Sequence, residues 1–193
     1  HAVLKCPFPE LTIAMDRVRQ EVASTIEARR GNPAVVNIIQ DGELDPEVPY
    51  ILMEMIDGET LTERLRRQSP PLTTAEVIPF GITMADVMKE IHAKLVLHRD
   101  LKPDNIMIEK DPSTATGERV RILDFGIARV MVEQYAERRR LTGVGSFMGT
   151  PDYMAPEQAD AARATDKADV FSLGVILYEL LGGPLPAVHP LQK

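Results

Sequence analysis

The spacing of hydrophobic positions changes several times along the chain, and each change marks an element. A short apolar run from Ala2 to Leu4 ends at Lys5 and reads as the end of a strand. Between Asp16 and Arg30, Val18, Val22 and Ile26 recur every four residues among Arg17, Arg19, Gln20 and Glu21. That spacing predicts an amphipathic helix, which Gly31-Asn32-Pro33 ends. Val35 to Ile39 and Tyr50 to Met55 are β-branched or apolar runs joined by Asp41 to Pro49, a stretch rich in Asp, Glu, Gly and Pro. They predict an antiparallel strand pair with a loop. Asp57-Gly58 breaks the pattern, and helical spacing takes over from there. Thr73-x-x-Glu76 is a capping box for a helix whose apolar face is Ile78, Ile82, Ala85, Met88 and Ile91, running to about Lys94. Pro79 lies inside it and is expected to shift its start or kink it. Leu95 to Leu97, Ile106 to Ile108 and Val120 to Leu123 are too short for helices and read as small strands or loops. A last helix, about Asp166 to Leu181, carries apolar residues on nearly every side, as a helix in the middle of a core would. The plan is α+β: a small strand-plus-helix lobe, then a larger helical lobe, without internal repeats or a low-complexity linker.

Composition narrows the class. The 193 residues are 44% hydrophobic and 26% charged, as in soluble globular domains, so disordered and fibrous classes are excluded. With 22 Lys and Arg against 29 Asp and Glu the formal charge is −7, which argues against a nucleic-acid partner. No apolar run approaches the ~20 residues of a membrane span. The longest, within Val170 to Leu181, is interrupted by Ser172, Gly174 and Glu179. The single cysteine, Cys6, rules out an internal disulfide and suits a reducing compartment, so a cytoplasmic location is expected. Arg138 to Arg140 reads as a solvated charged face.

The chemistry lies between His98 and Glu157. The chain reads His98-Arg99-Asp100-Leu101-Lys102-Pro103-Asp104-Asn105, then Asp124-Phe125-Gly126, then Met154-Ala155-Pro156-Glu157. These segments resemble the catalytic loop, the metal-binding turn and the end of the activation segment of protein kinases. Each motif alone is a weak signal, but all three occur in the family's order. The resemblance implies a bilobal protein-kinase fold that uses ATP and Mg²⁺. Asp100 is then the base that orients a substrate hydroxyl, and Lys102 a point charge on the transferring phosphate. Asn105 and Asp124 supply the oxygen ligands that suit Mg²⁺. A lysine at 102 marks serine/threonine rather than tyrosine kinases. Asp124-Phe125-Gly126-Ile127-Ala128-Arg129 and Tyr153-Met154-Ala155-Pro156-Glu157-Gln158 resemble the bacterial, eukaryotic-like branch.

The first lobe takes roles from the same resemblance. Ala2-Val3-Leu4-Lys5 is similar to the strand motif whose lysine pairs with the α- and β-phosphates and with a helix glutamate. Glu21 matches that glutamate, with Glu27 as runner-up. Val3 stands where the family has the alanine that roofs the adenine, and is expected to tighten the pocket. Thr25 replaces an apolar residue one turn after Glu21, and is expected to loosen the helix. Tyr50 to Gly58 resembles the hinge, with Met53 as gatekeeper, the backbone of Glu54 and Ile56 on the adenine edge, and Met107 as adenine floor. His98 is the packed, hydrogen-bonding loop histidine rather than a metal ligand, and Asp169 the buried aspartate that braces the catalytic loop. Thr60 stands close to where some members carry an acidic residue that reads basic substrates, so no basophilic preference is claimed.

Regulation is also implied. Arg99, next to Asp100, ties catalysis in this family to a phosphate on the activation segment, here 124–157, with Thr142 and Ser146 as acceptors. Thr150 resembles the threonine that bonds the catalytic Asp and Lys. The expected domains are 1–56, a partial first lobe ending in the hinge, and 57–193, a partial second lobe. The family's glycine-rich loop would precede Lys5 and further helices would follow the last one, so a piece truncated at both ends is expected, weak or inactive by itself and with apolar surface around Val170 to Leu181. The expected partners are protein substrates with Ser or Thr and a second kinase copy for trans-autophosphorylation. A pseudokinase-like scaffold is the alternative, and a small-molecule phosphotransferase is disfavoured by Lys102-Pro103 and Ala155-Pro156-Glu157.

Overall fold

In the computed structural model, residues 1–6, 15–44, 48–114, 116–125, 151–159 and 165–185 are described. The first sheet has the order β1-β3-β2, from β1 (Ala2–Lys5), β2 (Ile38–Glu43) and β3 (Pro49–Glu54), all antiparallel. In the central strand β3, Pro49, Ile51 and Met53 point inward and are buried while Tyr50, Leu52 and Glu54 are half-buried, the two-residue alternation of a sheet with one covered face. Helix α1 (Met15–Arg29) covers that face. Val18 and Val22 join Val36, Ile51, Met53 and Ile56 in a small apolar core, against which Ile38, Met107 and Leu123 pack.

The expected strand at Val35 to Ile39 begins only at Ile38 and continues through the polar Gln40 to Glu43, which form the sheet's edge. Val35 instead makes a parallel bridge with Ile122. The Ile122 N–H donates to the Ala34 carbonyl at 2.7 Å, which ties the segment after α1 to the second sheet. That sheet has the order β4-β5-β6, from β4 (Gly58–Thr60), β5 (Ile106–Lys110) and β6 (Glu118–Ile122). β4 was not expected: three residues are too few to show a pattern. Thr60 then caps α2 (Leu61–Arg67) through a capping box with Glu63. Leu95 to Leu97 form no strand, and Leu95 turns the chain with φ +60° and is 93% exposed.

Helix α3 (Thr74–Ala93) starts where the capping box predicts, with the Thr73 N–H and hydroxyl both donating to the Glu76 carboxylate. Pro79 sits within the continuous helix. The buried face is Val77, Met84, Met88 and Ile91, whereas Ile78 and Ile82 are more than half exposed. Met88 and Ile91 of the expected face are thus buried, but the first half of the helix turns Val77 and Met84 inward in place of Ile78 and Ile82, with Gly81 close enough to Leu177 that a Cβ there would lie 3.2 Å from it. Helix α4 (Asp166–Leu180) packs on α3 with Ala168, Asp169, Ser172, Leu173, Ile176 and Leu180 buried. On its other side Val170, Phe171, Tyr178 and Leu181 are exposed, the apolar surface expected around Val170 to Leu181 in this piece of chain, although the composition of the helix is that of one buried all round. The larger core runs from Leu61 and Met84 through Ile106 and Ile122 to Phe125 and Ile176.

α1 shows the same kind of correction. Ile26, on the expected face, is 48% exposed, and Thr25 and Ala28 are buried instead. At about 100° per residue, Val22 and Ile26 lie about 40° and 80° to one side of Val18, whereas the buried Glu21, Thr25 and Ala28 lie about 60°, 20° and 80° to the other, so the buried face is centred on that side and Ile26 falls beyond it.

Candidate active site

Asp169, in the first turn of α4, organises the loop before β5. Its carboxylate is 1% exposed and accepts three hydrogen bonds: His92 Nε2 at 2.8 Å and the His98 N–H at 2.9 Å on Oδ2, and the Arg99 N–H at 2.7 Å on Oδ1. Burial pushes the carboxyl up, but the hydrogen bonds from His92 and from the His98 and Arg99 backbone outweigh it and hold it below the ordinary carboxylate value. The loop needs that grip, because Arg99 is held at φ +65°, a conformation that costs a non-glycine residue energy. Gln158, from the 3₁₀ turn Pro156–Ala159, donates to the Arg99 carbonyl at 2.7 Å and accepts from the Ala155 N–H at 2.9 Å.

His98 is fully buried against Phe125, with ring centroids 4.8 Å apart. Its Nε2 lies 2.8 Å from the Leu123 carbonyl, so Nε2 donates, and its Nδ1 accepts the Asp100 N–H at 3.3 Å. Both bonds together require the neutral ring with its proton on Nε2. His98 is a packing and hydrogen-bonding residue whose two ring nitrogens join Asp100 to the residue before Asp124.

Asp100 follows on the half-buried surface, with Lys102 Nζ donating to its Oδ2 at 2.8 Å. Asn105, closing the 3₁₀ turn Pro103–Asn105, spends Nδ2 on the Asp100 carbonyl at 2.8 Å and Oδ2 at 3.1 Å, and no described bond takes its Oδ1. The Asn105 carbonyl accepts the Leu123 N–H at 2.9 Å, which brings Asp124 next to it. Asp124 has φ +55°, so the chain turns sharply there.

From the first sheet, Lys5 at the end of β1 donates to Glu21 Oε1 at 2.9 Å and to Asp124 Oδ1 at 2.7 Å. Burial pulls the Lys5 ammonium down, but the carboxylates of Asp124 and Glu21 more than offset it and hold it above its ordinary value. Glu21, 7% exposed, is pushed up by burial despite Lys5. Glu21 is therefore the partner of Lys5, while Glu27 pairs with Arg30 at the surface. Thr25, one turn on, is 2% exposed, and its hydroxyl donates to the Glu21 carbonyl at 2.8 Å. Glu21, Lys5, Asp124, Asn105, Asp100 and Lys102 thus form one hydrogen-bonded series, closed through Leu123.

Of the expected hinge residues, Met53 and Ile56 are buried in the small core and Met107 packs against it beside Leu123. Val3 pairs in register with Met53 and is 42% exposed. The Glu54 N–H is committed to the Asn37 carbonyl at 2.9 Å. Its side chain is engaged as well. It accepts the Asn37 N–H at 2.6 Å and pairs with Arg121, a 5% exposed guanidinium that also holds Glu109 at 2.8 Å. Sequence reading missed Arg121: on β6 it lies between the apolar Val120 and Ile122, where the alternation of a strand points it away from their face, and nothing local marks it as buried. Thr142, Ser146 and Thr150, the expected regulatory residues, lie outside the described residues.

Against known proteins, the family described as protein kinase domain matches residues 9–192. The serine/threonine-protein kinase pkn2 of Myxococcus xanthus is 38% identical over 162 residues, covering 84% of this chain and 19% of its own length. Pkn3 of the same organism, also a serine/threonine-protein kinase, is 34% identical over 177 residues, with 92% and 31% covered. The probable serine/threonine-protein kinase PknB of Lactococcus lactis is 34% identical over 184 residues, with 95% and 27% covered. The chain therefore spans 19–31% of the length of these relatives. Among solved structures, the PknI kinase domain of Mycobacterium tuberculosis superposes with a TM-score of 0.69 at 23% identity, covering 98% of this chain and 68% of that one, a likeness of fold.

Proposed function

The chain belongs to the protein kinase domain family, and from that premise we propose that the protein transfers the γ-phosphoryl group of ATP to serine and threonine hydroxyls of proteins. The observation that carries the reading is the hydrogen-bonded series from Glu21 through Lys5, Asp124 and Asn105 to Asp100 and Lys102. Each member has a chemical task in phosphoryl transfer. Lys5, kept charged by Glu21 and Asp124, is the cation for the α- and β-phosphates. Val3 and Met107 border the space for the adenine, and the backbone of Glu54 and Ile56 the edge it would bond, with Met53 behind them.

Asp100 orients the substrate hydroxyl and receives its proton as the oxygen bonds to the γ-phosphorus. The bond from that phosphorus to the β-phosphate oxygen breaks, and ADP leaves with the electron pair. Lys102, 2.8 Å from Asp100, meets the charge on the transferring group. Among the described residues no cluster of three or more His, Cys, Asp or Glu side chains could hold a metal alone. Asn105 and Asp124 offer one amide and one carboxylate, a donor set that fits Mg²⁺ sharing phosphate oxygens and waters. Bound there, Mg²⁺ supplies charge neutralisation on the phosphates.

Three finer readings follow from the family rather than from the geometry. Phosphorylation of Thr142 or Ser146 raises activity by pairing with Arg99, with Thr150 bonding Asp100 and Lys102. A second copy phosphorylates the first. The domain works in the cytoplasm; no helix among the described residues is long and apolar enough to cross a membrane. The test is incubation of the full-length protein with labelled ATP and a generic basic protein. Phosphoserine and phosphothreonine should appear, fall by about 10²- to 10⁴-fold in Asp100→Asn, and fall measurably when Thr142 and Ser146 are both alanine. Equal labelling by Asp100→Asn refutes its role, and no labelling by the wild type favours a scaffold.

A further inference from the structure

Lys94, just after α3, donates from Nζ to two backbone carbonyls at the far end of α1: Ala28 at 2.8 Å and Arg30 at 2.6 Å. We infer that Lys94 is a positioning residue for phosphoryl transfer, holding α1 so that Glu21 meets Lys5. The inference rests on the roles proposed above for Lys5 and Glu21.

The last carbonyls of a helix have no partner within it and carry the negative end of its dipole. An ammonium placed there both satisfies and attracts them. The turn it grips is stiff: Arg29 Nη1 donates to the Asn32 carbonyl at 2.8 Å, and Asn32 Oδ1 accepts the Ala34 N–H at 3.0 Å. Glu21 lies seven residues before Ala28, about 10 Å along the axis. Any slide or rotation of α1 about its far end is therefore felt at the Lys5 contact. Among the described residues the buried apolar face of α1 is Val18, Val22 and Ala28 with Thr25 between them, a narrow stripe that an anchor at the far end of the helix helps to orient.

The same stretch of chain serves the other half of the site. His92, two residues before Lys94, donates to Asp169, which holds the His98 and Arg99 N–H groups. Residues 92–94 thus grip the Asp100 loop with one side chain and the helix of Glu21 with another.

The test uses the full-length protein, with Lys94→Met to remove the ammonium and keep the stem, Lys94→Arg to restore donors, and each repeated in a Glu21→Gln background. Lys94→Met should lower kcat/KM for ATP by about tenfold, the scale of a partly buried helix-end charge, with Lys94→Arg recovering most of it. In the Glu21→Gln background the further loss should be below about twofold, because the two residues act through one contact. A lysine needed only for stability would lower the melting midpoint and leave kcat/KM, measured below that midpoint, unchanged; that result overturns the inference. So does an equal loss in both backgrounds, which would route the effect through the Asp100 loop. Full activity of Glu21→Gln alone overturns the Lys5–Glu21 reading, and this inference falls with it.

Discussion

Asp169→Asn removes one charge from a buried acceptor and keeps its shape. The carboxylate takes three N–H groups, from His92, His98 and Arg99, at 2.7–2.9 Å. An amide has one acceptor oxygen. If that oxygen stays on His92 and His98, the NH₂ group faces the Arg99 N–H and leaves it unsatisfied. A buried unsatisfied donor costs about 1–3 kcal/mol, and the two surviving bonds drop from charge-assisted to neutral strength, losing about 1 kcal/mol each. The total is about 3–5 kcal/mol, or roughly 10 °C in Tm for a chain of this size. The pH dependence follows from the direction of the shift. The folded carboxyl lies below its ordinary value of 3.8, so the unfolded chain takes up the proton first on acidification. The stability it contributes is complete above about pH 4 and is lost as pH falls through the folded value. Urea unfolding of wild type and variant, followed by circular dichroism at pH 7 and then at steps below pH 4, reads both effects. A difference under about 1 kcal/mol at pH 7, or one that does not narrow in acid, refutes the reasoning.

Two further changes test the backbone. Leu95 has φ +60° and is 93% exposed, so Leu95→Gly should relieve left-handed strain and stabilise the fold by about 0.5–1 kcal/mol in the same denaturation assay; a loss of stability would show that the leucine is unstrained. A Cβ on Gly58 would lie 2.2 Å from the Ile108 carbonyl oxygen, so Gly58→Ala should part β4 from β5 and cost about 2 kcal/mol or more, read as a lowered Tm. An unchanged Tm would contradict the close approach of the two strands.

Local signals were legible where the physics is local. The capping box of Thr73 and Glu76 placed the start of α3, because a cap is satisfied within one turn. The two runs Ile106 to Ile108 and Val120 to Leu123 became β5 and β6, since β-branched residues hold a strand wherever a partner exists. The catalytic-loop residues were readable as a group because their spacing is itself the turn that joins them: Asn105 reaches Asp100 across five residues. Helix faces were less legible. Ile26, Ile78 and Ile82 are apolar and periodic yet exposed, since periodicity says that a stripe exists and not which neighbour it meets.

What the amino-acid order determined alone was the existence and order of α1, β3, α3, β5, β6 and α4 and the capped start of α3, while the bounds of β2 and the short β4 escaped it. What only the tertiary structure decided was which of several equivalent charges meet. Glu21 and Glu27 lie on one helix six residues apart, and only the first reaches Lys5. Arg121 is drawn into a buried pair with Glu54, 67 residues away, and Lys94 reaches across 64 and 66 residues to cap α1. Pairings of this range depend on the whole path of the chain. A charge carries no local trace of the partner that will compensate its burial, whereas a cap or a strand is built from the residues beside it.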